Sequence, residues 1–106
     1  MREFTASELR GYLDSASEKP LLLDVREPWE FDTARIEGST LVPMRSIADK
    51  IHDLDPEQEI VVICHHGIRS RMVGRFLESH GFSNVINLSG GVEAWAREVD
   101  RQMATY

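Results

Sequence analysis

Apolar residues along this chain fall into two alternating patterns: short unbroken runs, and longer stretches in which they recur at helical spacing. Unbroken runs rich in Leu, Ile and Val are typical of strands buried on both faces of a parallel sheet. They predict strands at residues 21–25, 40–42, 60–63 and 85–88, after a short first strand that ends at Phe4. Because helical stretches alternate with these strands, the sequence predicts an α/β fold with a central, mainly parallel sheet of about five strands and helices on both faces.

The helical stretches carry their own boundary signals. Thr5 and Glu8 have the spacing of a capping box, which predicts the start of a first helix. Pro28 suits the first turn of a short helix, in which Trp29 and Phe31 are expected to cover the core. Three further helices are predicted: one after Ser46, one from Ser70 to a C-cap at Gly81, and one that carries Val92, Trp95 and Val99 inward.

Length and composition indicate a single domain, residues 1–106, with a loosely packed tail at residues 101–106. No apolar run approaches the roughly 20 residues of a membrane span, and the first ten residues do not resemble a signal peptide. The one cysteine forms no internal disulfide, so a reducing cytoplasm is the expected location. A net charge of −6 argues against nucleic acid or an anionic membrane as partner.

The central strand leads into the segment that carries the candidate chemistry. Residues 60–80 read IVVICHHGIRSRMVGRFLESH: an apolar strand, a polar loop opened by Cys64, and an amphipathic helix with Ser70 as the expected N-cap. Gly67 allows the loop to turn tightly, so backbone N–H groups and the positive end of the helix dipole are expected to converge on the thiol. This environment favours the thiolate that a nucleophile or sulfur carrier needs. The alternative is a buried, inert cysteine at the end of a core strand.

Charged residues near this loop and near the second strand add two expectations. Between residues 60 and 82 there are three arginines and one acid, which indicates a site for a small anion or a solvated helix face. Asp24 lies inside an apolar run, so its carboxylate must be paired or hydrogen-bonded. We expect it to give structural support by orienting backbone or an arginine beside the Cys64 loop. Arg26, also a supporting residue, is expected to form a surface ion pair with Glu30.

Four blocks of the sequence carry a resemblance to a known family. They are Asp24-Val25-Arg26 with Glu30-Phe31, Ile36-Glu37-Gly38, the loop from Cys64 to Arg69, and Leu88-Ser89-Gly90-Gly91 with Trp95. In this order the blocks resemble a single-domain rhodanese. The resemblance implies a rhodanese-like three-layer sandwich and a sulfurtransferase in which Cys64 carries a persulfide. It further implies a small anionic sulfur donor such as thiosulfate, and an acceptor that is cyanide or a thiol, including a thiol on a protein.

The resemblance also implies that the residues after Cys64 form a cradle for the anionic donor, with no metal or other cofactor. These residues are His65, His66, Gly67, Ile68, Arg69 and Ser70. Arg69 suits the oxyanion end of a donor, and an internal strut to Asp24 is a compatible interpretation. His65 stands where active members often have arginine, which bears on the preference for thiosulfate because histidine is only partly charged near neutral pH. Residues 34–39 also depart from the family pattern, and we interpret that change as structurally neutral.

Other functions share parts of this pattern. Cysteine phosphatases and arsenate reductases have a Cys-x5-Arg loop, whereas residues 64–69 form Cys-x4-Arg, which should leave room for a sulfur but crowd a phosphate. A metal site at Cys64, His65 and His66 is disfavoured because adjacent residues seldom converge on one ion. A rhodanese-like binding, regulatory or sulfur-carrier module without turnover stays open as an alternative, since an intact site does not establish catalysis.

Overall fold

The computed structural model describes all 106 residues, and its strands form one sheet. The strands are β1 (Arg2–Phe4), β2 (Leu21–Asp24), β3 (Thr40–Leu41), β4 (Ile60–Ile63) and β5 (Val85–Leu88). Their order in the sheet is β1-β5-β4-β2-β3, and every neighbouring pair is parallel. The five-stranded parallel sheet predicted from the apolar runs is confirmed.

Five α-helices accompany the sheet. They are α1 (Ala6–Ser15), α2 (Pro28–Thr33), α3 (Ile47–Lys50), α4 (Ile68–Ser79) and α5 (Gly91–Glu98), with 3-10 turns at Met44–Ser46 and Ile51–Asp53 on either side of α3. The predicted capping box begins α1: the Thr5 hydroxyl accepts from the Glu8 N–H, and the Glu8 carboxylate accepts from the Thr5 N–H. None of the helices combines the length and apolar character that crossing a membrane requires.

Alternating side chains of the central strand divide the core into two layers. On one face, Val61 and Ile63 pack in a cluster with residues of α1 and α5. On the other face, Ile60 and Val62 pack with residues of α3 and α4, and Cys64 continues this second cluster directly after β4. Because helices lie on both sides, every residue of β4 is buried. The prediction of helices on both faces of the sheet is therefore confirmed.

The short helix α2 turns a different face to the core than the one predicted. Trp29 is 60% exposed, whereas Glu30 is 4% exposed. Adjacent residues on a helix point about 100° apart and cannot share one direction, so the inward position goes to only one of them. It goes to Glu30, because its carboxylate accepts hydrogen bonds from Arg69 and Tyr106. The prediction that Trp29 covers the core is wrong.

Candidate active site

Cys64 follows β4 at the carboxyl edge of the sheet, which is where ligands bind in open parallel sheets. The residue is only 1% exposed. Its Sγ accepts a hydrogen bond from the Gly67 N–H at 3.0 Å and lies 3.3 Å from the Ser70 Oγ. The thiol donates to the Ser70 Oγ, whose own proton goes to Asn87, so the Gly67 N–H is the donor to sulfur, and such a donor suits a sulfur-borne anion.

The helix after Cys64 begins earlier than the sequence predicted. Gly67, with φ +99°, is the N-cap of α4, and Ile68 is the first helical residue. The positive φ of Gly67 closes the turn, so the Cys64 loop comprises residues 64–67. Ser70 lies inside the first turn of α4, where its buried side chain contacts Cys64 instead of capping the helix. The N-cap prediction for Ser70 is wrong.

The start of α5 holds the Cys64 loop through the backbone. The N–H groups of Val92 and Glu93 donate to the carbonyl oxygens of Cys64 and His65 at 2.9 and 3.1 Å. A Cβ atom at Gly91 would lie 2.4 Å from both of those oxygens. Only glycine allows so close an approach, so the second strand-to-helix turn supports the first.

A polar network, which sequence analysis missed, connects Ser70 to Asn87 on β5 and to Glu3 on β1. Asn87 has no exposed surface, and its Oδ1 accepts from the Ser70 hydroxyl. Its Nδ2 donates to Glu3 at 2.8 Å and to the Gly67 carbonyl at 3.3 Å. Burial opposes ionisation of Glu3, yet hydrogen bonds from Arg71 and Asn87 lower its pKa below the ordinary value. The signal for this network in the sequence was the polar Asn87 within an otherwise apolar strand, because a buried amide requires hydrogen-bond partners.

Glu30 is the partner of Arg69. Two guanidinium nitrogens of Arg69 donate to the two carboxylate oxygens of Glu30 at 2.7 and 2.9 Å. These bonds outweigh the desolvation of the carboxyl group and lower the pKa of Glu30 to about 2. The expected strut from Arg69 to Asp24 and the expected surface pair of Arg26 with Glu30 are both wrong, since the buried Glu30 faces α4.

Asp24 and Arg26 instead pair with each other inside the protein, and neither has exposed surface. Arg26 donates to both carboxylate oxygens of Asp24 at distances from 2.7 to 3.1 Å, and to the carbonyl oxygen of Ala34 at 2.7 Å. Desolvation alone would lower the pKa of Arg26, but the bonds to Asp24 raise it. The pair therefore fixes the chain between β2 and the end of α2, beside the site.

The other side chains near the loop point to different partners. The His66 Nε2 lies 3.0 Å from Glu93, and Ile68 is 67% exposed. The His65 ring is next to the His66 ring, with 4.0 Å between centroids. Burial and the neighbouring His66 lower the pKa of His65, which favours its neutral imidazole. His, Cys, Asp and Glu side chains form no group of three or more arranged to hold a metal ion.

The tail at residues 101–106, most of which is exposed, contacts this site through its last residue, Tyr106. The Tyr106 hydroxyl accepts from Arg26 at 2.6 Å and donates to Glu30 at 3.0 Å. Its ring stacks on His65, with 4.1 Å between the centroids. Individual polar and aromatic contacts hold Tyr106, and such contacts need no hydrophobic periodicity.

Comparison with known proteins identifies the family. Residues 5–98 match the model of the Rhodanese-like domain. The chain is 33% identical over 95 residues to thiosulfate sulfurtransferase GlpE of Pseudomonas entomophila, covering 90% of this chain and 87% of that protein. It is 38% identical over 89 residues to the chloroplastic Rhodanese-like/PpiC domain-containing protein 12 of Arabidopsis thaliana, covering 80% of this chain but 30% of that relative.

A solved structure agrees with these sequence relatives. The crystal structure of a rhodanese-like domain protein from Staphylococcus aureus superimposes with a TM-score of 0.84 at 30% sequence identity. The superposition covers 93% of this chain and 95% of that one. Its fold is thus shared over nearly the whole length of both chains, including the strands and helices that carry the site. The chain belongs to the rhodanese-like domain family.

Proposed function

We propose that this protein is a sulfurtransferase that carries a transferable sulfur as a persulfide on Cys64. The observation that supports this function is the placement of the Cys64 Sγ, within 3.0 Å of the Gly67 N–H and 3.3 Å of the Ser70 hydroxyl. The site follows the central strand and is closed to bulk water by burial. Such a cradle holds an anionic sulfur without requiring a charged side chain.

The reaction has two displacement steps at sulfur. The Cys64 thiolate attacks the outer sulfur of thiosulfate, a new S–S bond forms, and sulfite leaves with the electron pair of the broken S–S bond. Cyanide, or an acceptor thiolate, then attacks the outer sulfur of the persulfide. The electron pair of that S–S bond returns to Cys64 as the thiolate, and thiocyanate or a new persulfide leaves.

The residues of the loop contribute unequally to this chemistry. The Gly67 N–H donates to the sulfur and is proposed to stabilise the thiolate and the persulfide, whereas the Ser70 hydroxyl donates to Asn87 and accepts from the thiol. Arg69 already donates two hydrogen bonds to Glu30, so an anionic donor must bind its remaining N–H groups or displace the carboxylate. His65 and His66 are proposed to line the entrance, with His65 as a mainly neutral group.

The pairing of charges favours a second candidate function, a sulfur carrier loaded by a persulfide instead of thiosulfate. Near the loop, Arg69 pairs with Glu30 and Arg71 with Glu3. A dianionic donor gains little from cations that carboxylates already neutralise. A persulfide bears less charge and depends less on them.

The test is the intact mass of the protein after incubation with thiosulfate or, separately, with glutathione persulfide, followed by cyanide. The wild type should gain one sulfur atom and lose it to cyanide as thiocyanate, whereas Cys64→Ser should gain none. Ser70→Ala, which keeps the cysteine but removes the hydroxyl, should load more slowly. Loading from glutathione persulfide alone would favour the carrier. Sulfur gained equally by Cys64→Ser, or by neither protein with either donor, would refute a persulfide at Cys64.

A further inference from the structure

Tyr106 lies outside the residues that match the family model, which end at residue 98, yet it contacts groups on two sides of the Cys64 site. Its hydroxyl lies between two ion pairs, 2.6 Å from a guanidinium nitrogen of Arg26 and 3.0 Å from a carboxylate oxygen of Glu30. One face of its ring stacks on His65, and Trp29 packs edge-on against it at 5.4 Å. We propose that Tyr106 is a positioning residue for sulfur transfer, holding His65 and the Glu30–Arg69 pair in their working arrangement.

The Tyr106 hydroxyl helps to orient Glu30. It joins the Asp24–Arg26 pair to the Glu30–Arg69 pair, because it accepts from Arg26 and donates to Glu30. Burial raises the pKa of Tyr106 to about 12, so the phenol keeps its proton and remains a donor near neutral pH. The tail and α4 therefore both fix the orientation of the Glu30 carboxylate. Arg69 is oriented in turn by its two hydrogen bonds to that carboxylate.

The Tyr106 ring restrains the side chain of His65. The carbonyl oxygen of His65 is held by the Glu93 N–H of α5 at 3.1 Å, and its imidazole is held by the Tyr106 ring, with 4.1 Å between centroids and 17° between planes. His65 directly follows Cys64, so fixing this side chain restrains the segment that carries the sulfur. Both its backbone and its ring are thus anchored, the first by a helix and the second by the tail.

The environment of His65 offers a readout of this contact that does not depend on turnover. The charged or titratable groups around the imidazole are His66 in the loop, Glu93 on α5, Glu30 on α2, Arg69 on α4 and Tyr106 itself. Burial is the main reason that the pKa of His65 is lowered. Removing the Tyr106 ring exposes one face of the imidazole and should raise that pKa towards its ordinary value.

The inference rests on the proposed function and is tested with Tyr106→Phe, Tyr106→Ala and the control Gln102→Ala, an exposed position in the same tail. Tyr106→Ala should lower kcat/KM for thiosulfate and cyanide about 10-fold, below the roughly 100-fold that a 1 Å misplacement can cause. Tyr106→Phe keeps the ring, so it should leave the His65 titration in NMR unchanged and reduce kcat/KM by about two- to threefold. Gln102→Ala should match the wild type in both measurements.

A purely structural role predicts a different result. In that case Tyr106→Ala would melt at a lower temperature, while its rate and its His65 titration, measured where the variant is fully folded, would match the wild type, and the inference would be overturned. If the wild type transfers no sulfur at all, the proposed function fails, but the His65 titration still decides the inference. An upward shift in Tyr106→Ala would support positioning of the loop, and no shift would overturn it.

Discussion

Asp24 and Arg26 are both fully buried, and their ion pair replaces water as the partner of two full charges. No buried side-chain nitrogen or oxygen in the chain lacks a hydrogen-bond partner, so the cost of desolvation is offset by a complete set of bonds. Removing one member of such a pair leaves the other charge buried without compensation. Loss of either charge should therefore strongly destabilise the fold next to the active site.

We expect Asp24→Asn to lower the free energy of unfolding by about 3 kcal/mol, because Arg26 keeps its charge but loses its counter-ion. Urea denaturation monitored by circular dichroism measures the change. The matched control is Asp14→Asn, which removes the exposed pair of Asp14 with Arg10 and should cost less than about 1 kcal/mol. A loss in Asp24→Asn no larger than that of the control would contradict the prediction.

At the scale of secondary structure, two strand-to-helix turns lie against each other. The turn that begins α5 donates two backbone hydrogen bonds to the Cys64 loop. Gly91 has φ +59° and leaves no room for a Cβ atom against the loop carbonyl oxygens. Since both turns are short and bonded to each other, a displacement of α5 must move the sulfur cradle with it.

Gly91→Ala should therefore destabilise the fold by about 1–3 kcal/mol from backbone strain alone, with a further cost from the contact with the loop, and it should slow sulfur loading of Cys64. Thermal or urea unfolding and the rate of loading measure the two effects. Gly11→Ala is the control: nothing lies within 4 Å of the new methyl group in α1, so it should stabilise the protein by roughly 0.5–1 kcal/mol. Similar unfolding midpoints for the two variants would refute the close approach at Gly91.

At the scale of the whole molecule, Glu30 connects parts of the chain that are far apart in sequence. It joins α2 to Arg69 on α4, 39 residues away, and to Tyr106 in the tail, 76 residues away. These bonds depend on the ionised carboxylate. The stability of this side of the molecule therefore depends on pH through the ionisation of Glu30.

The pKa of Glu30 is lowered from an ordinary value of 4.5 to about 2 in the folded protein. An acid with a lowered folded-state pKa stabilises the fold above its unfolded-state value, and this contribution is lost as pH falls through the folded-state value. We expect the free energy of unfolding to fall between about pH 4.5 and pH 2, with Glu30 accounting for up to about 3 kcal/mol. Urea titrations at several pH values measure the slope. Glu30→Gln should flatten it and the exposed Glu37→Gln should not; equal slopes for Glu30→Gln and the wild type would count against the assignment.

Local sequence patterns correctly predicted features that depend only on neighbouring residues. The capping box at Thr5 and Glu8 formed as predicted because both of its bonds lie within one turn. The error at Ser70 had the opposite origin. Serine is a good N-cap, but Gly67 had already begun the helix, and the buried Asn87 and Cys64 offered the hydroxyl other partners. Local propensity was overruled by contacts with two different strand ends.

The sequence by itself determined the parallel sheet, the helices on its two faces, the membership of the rhodanese-like family and the position of Cys64 after the central strand. Apolar runs and helical spacing specify the sheet, the helices and the place of Cys64, because burial acts on every strand and helix in the same way, whereas four sequence blocks carry the family resemblance. Only the tertiary structure decided which charges pair, that Glu30 and not Trp29 points inward, and that Tyr106 lies on His65. Those outcomes depend on a few side-chain distances between segments far apart in the chain, and no periodicity in the sequence encodes such distances.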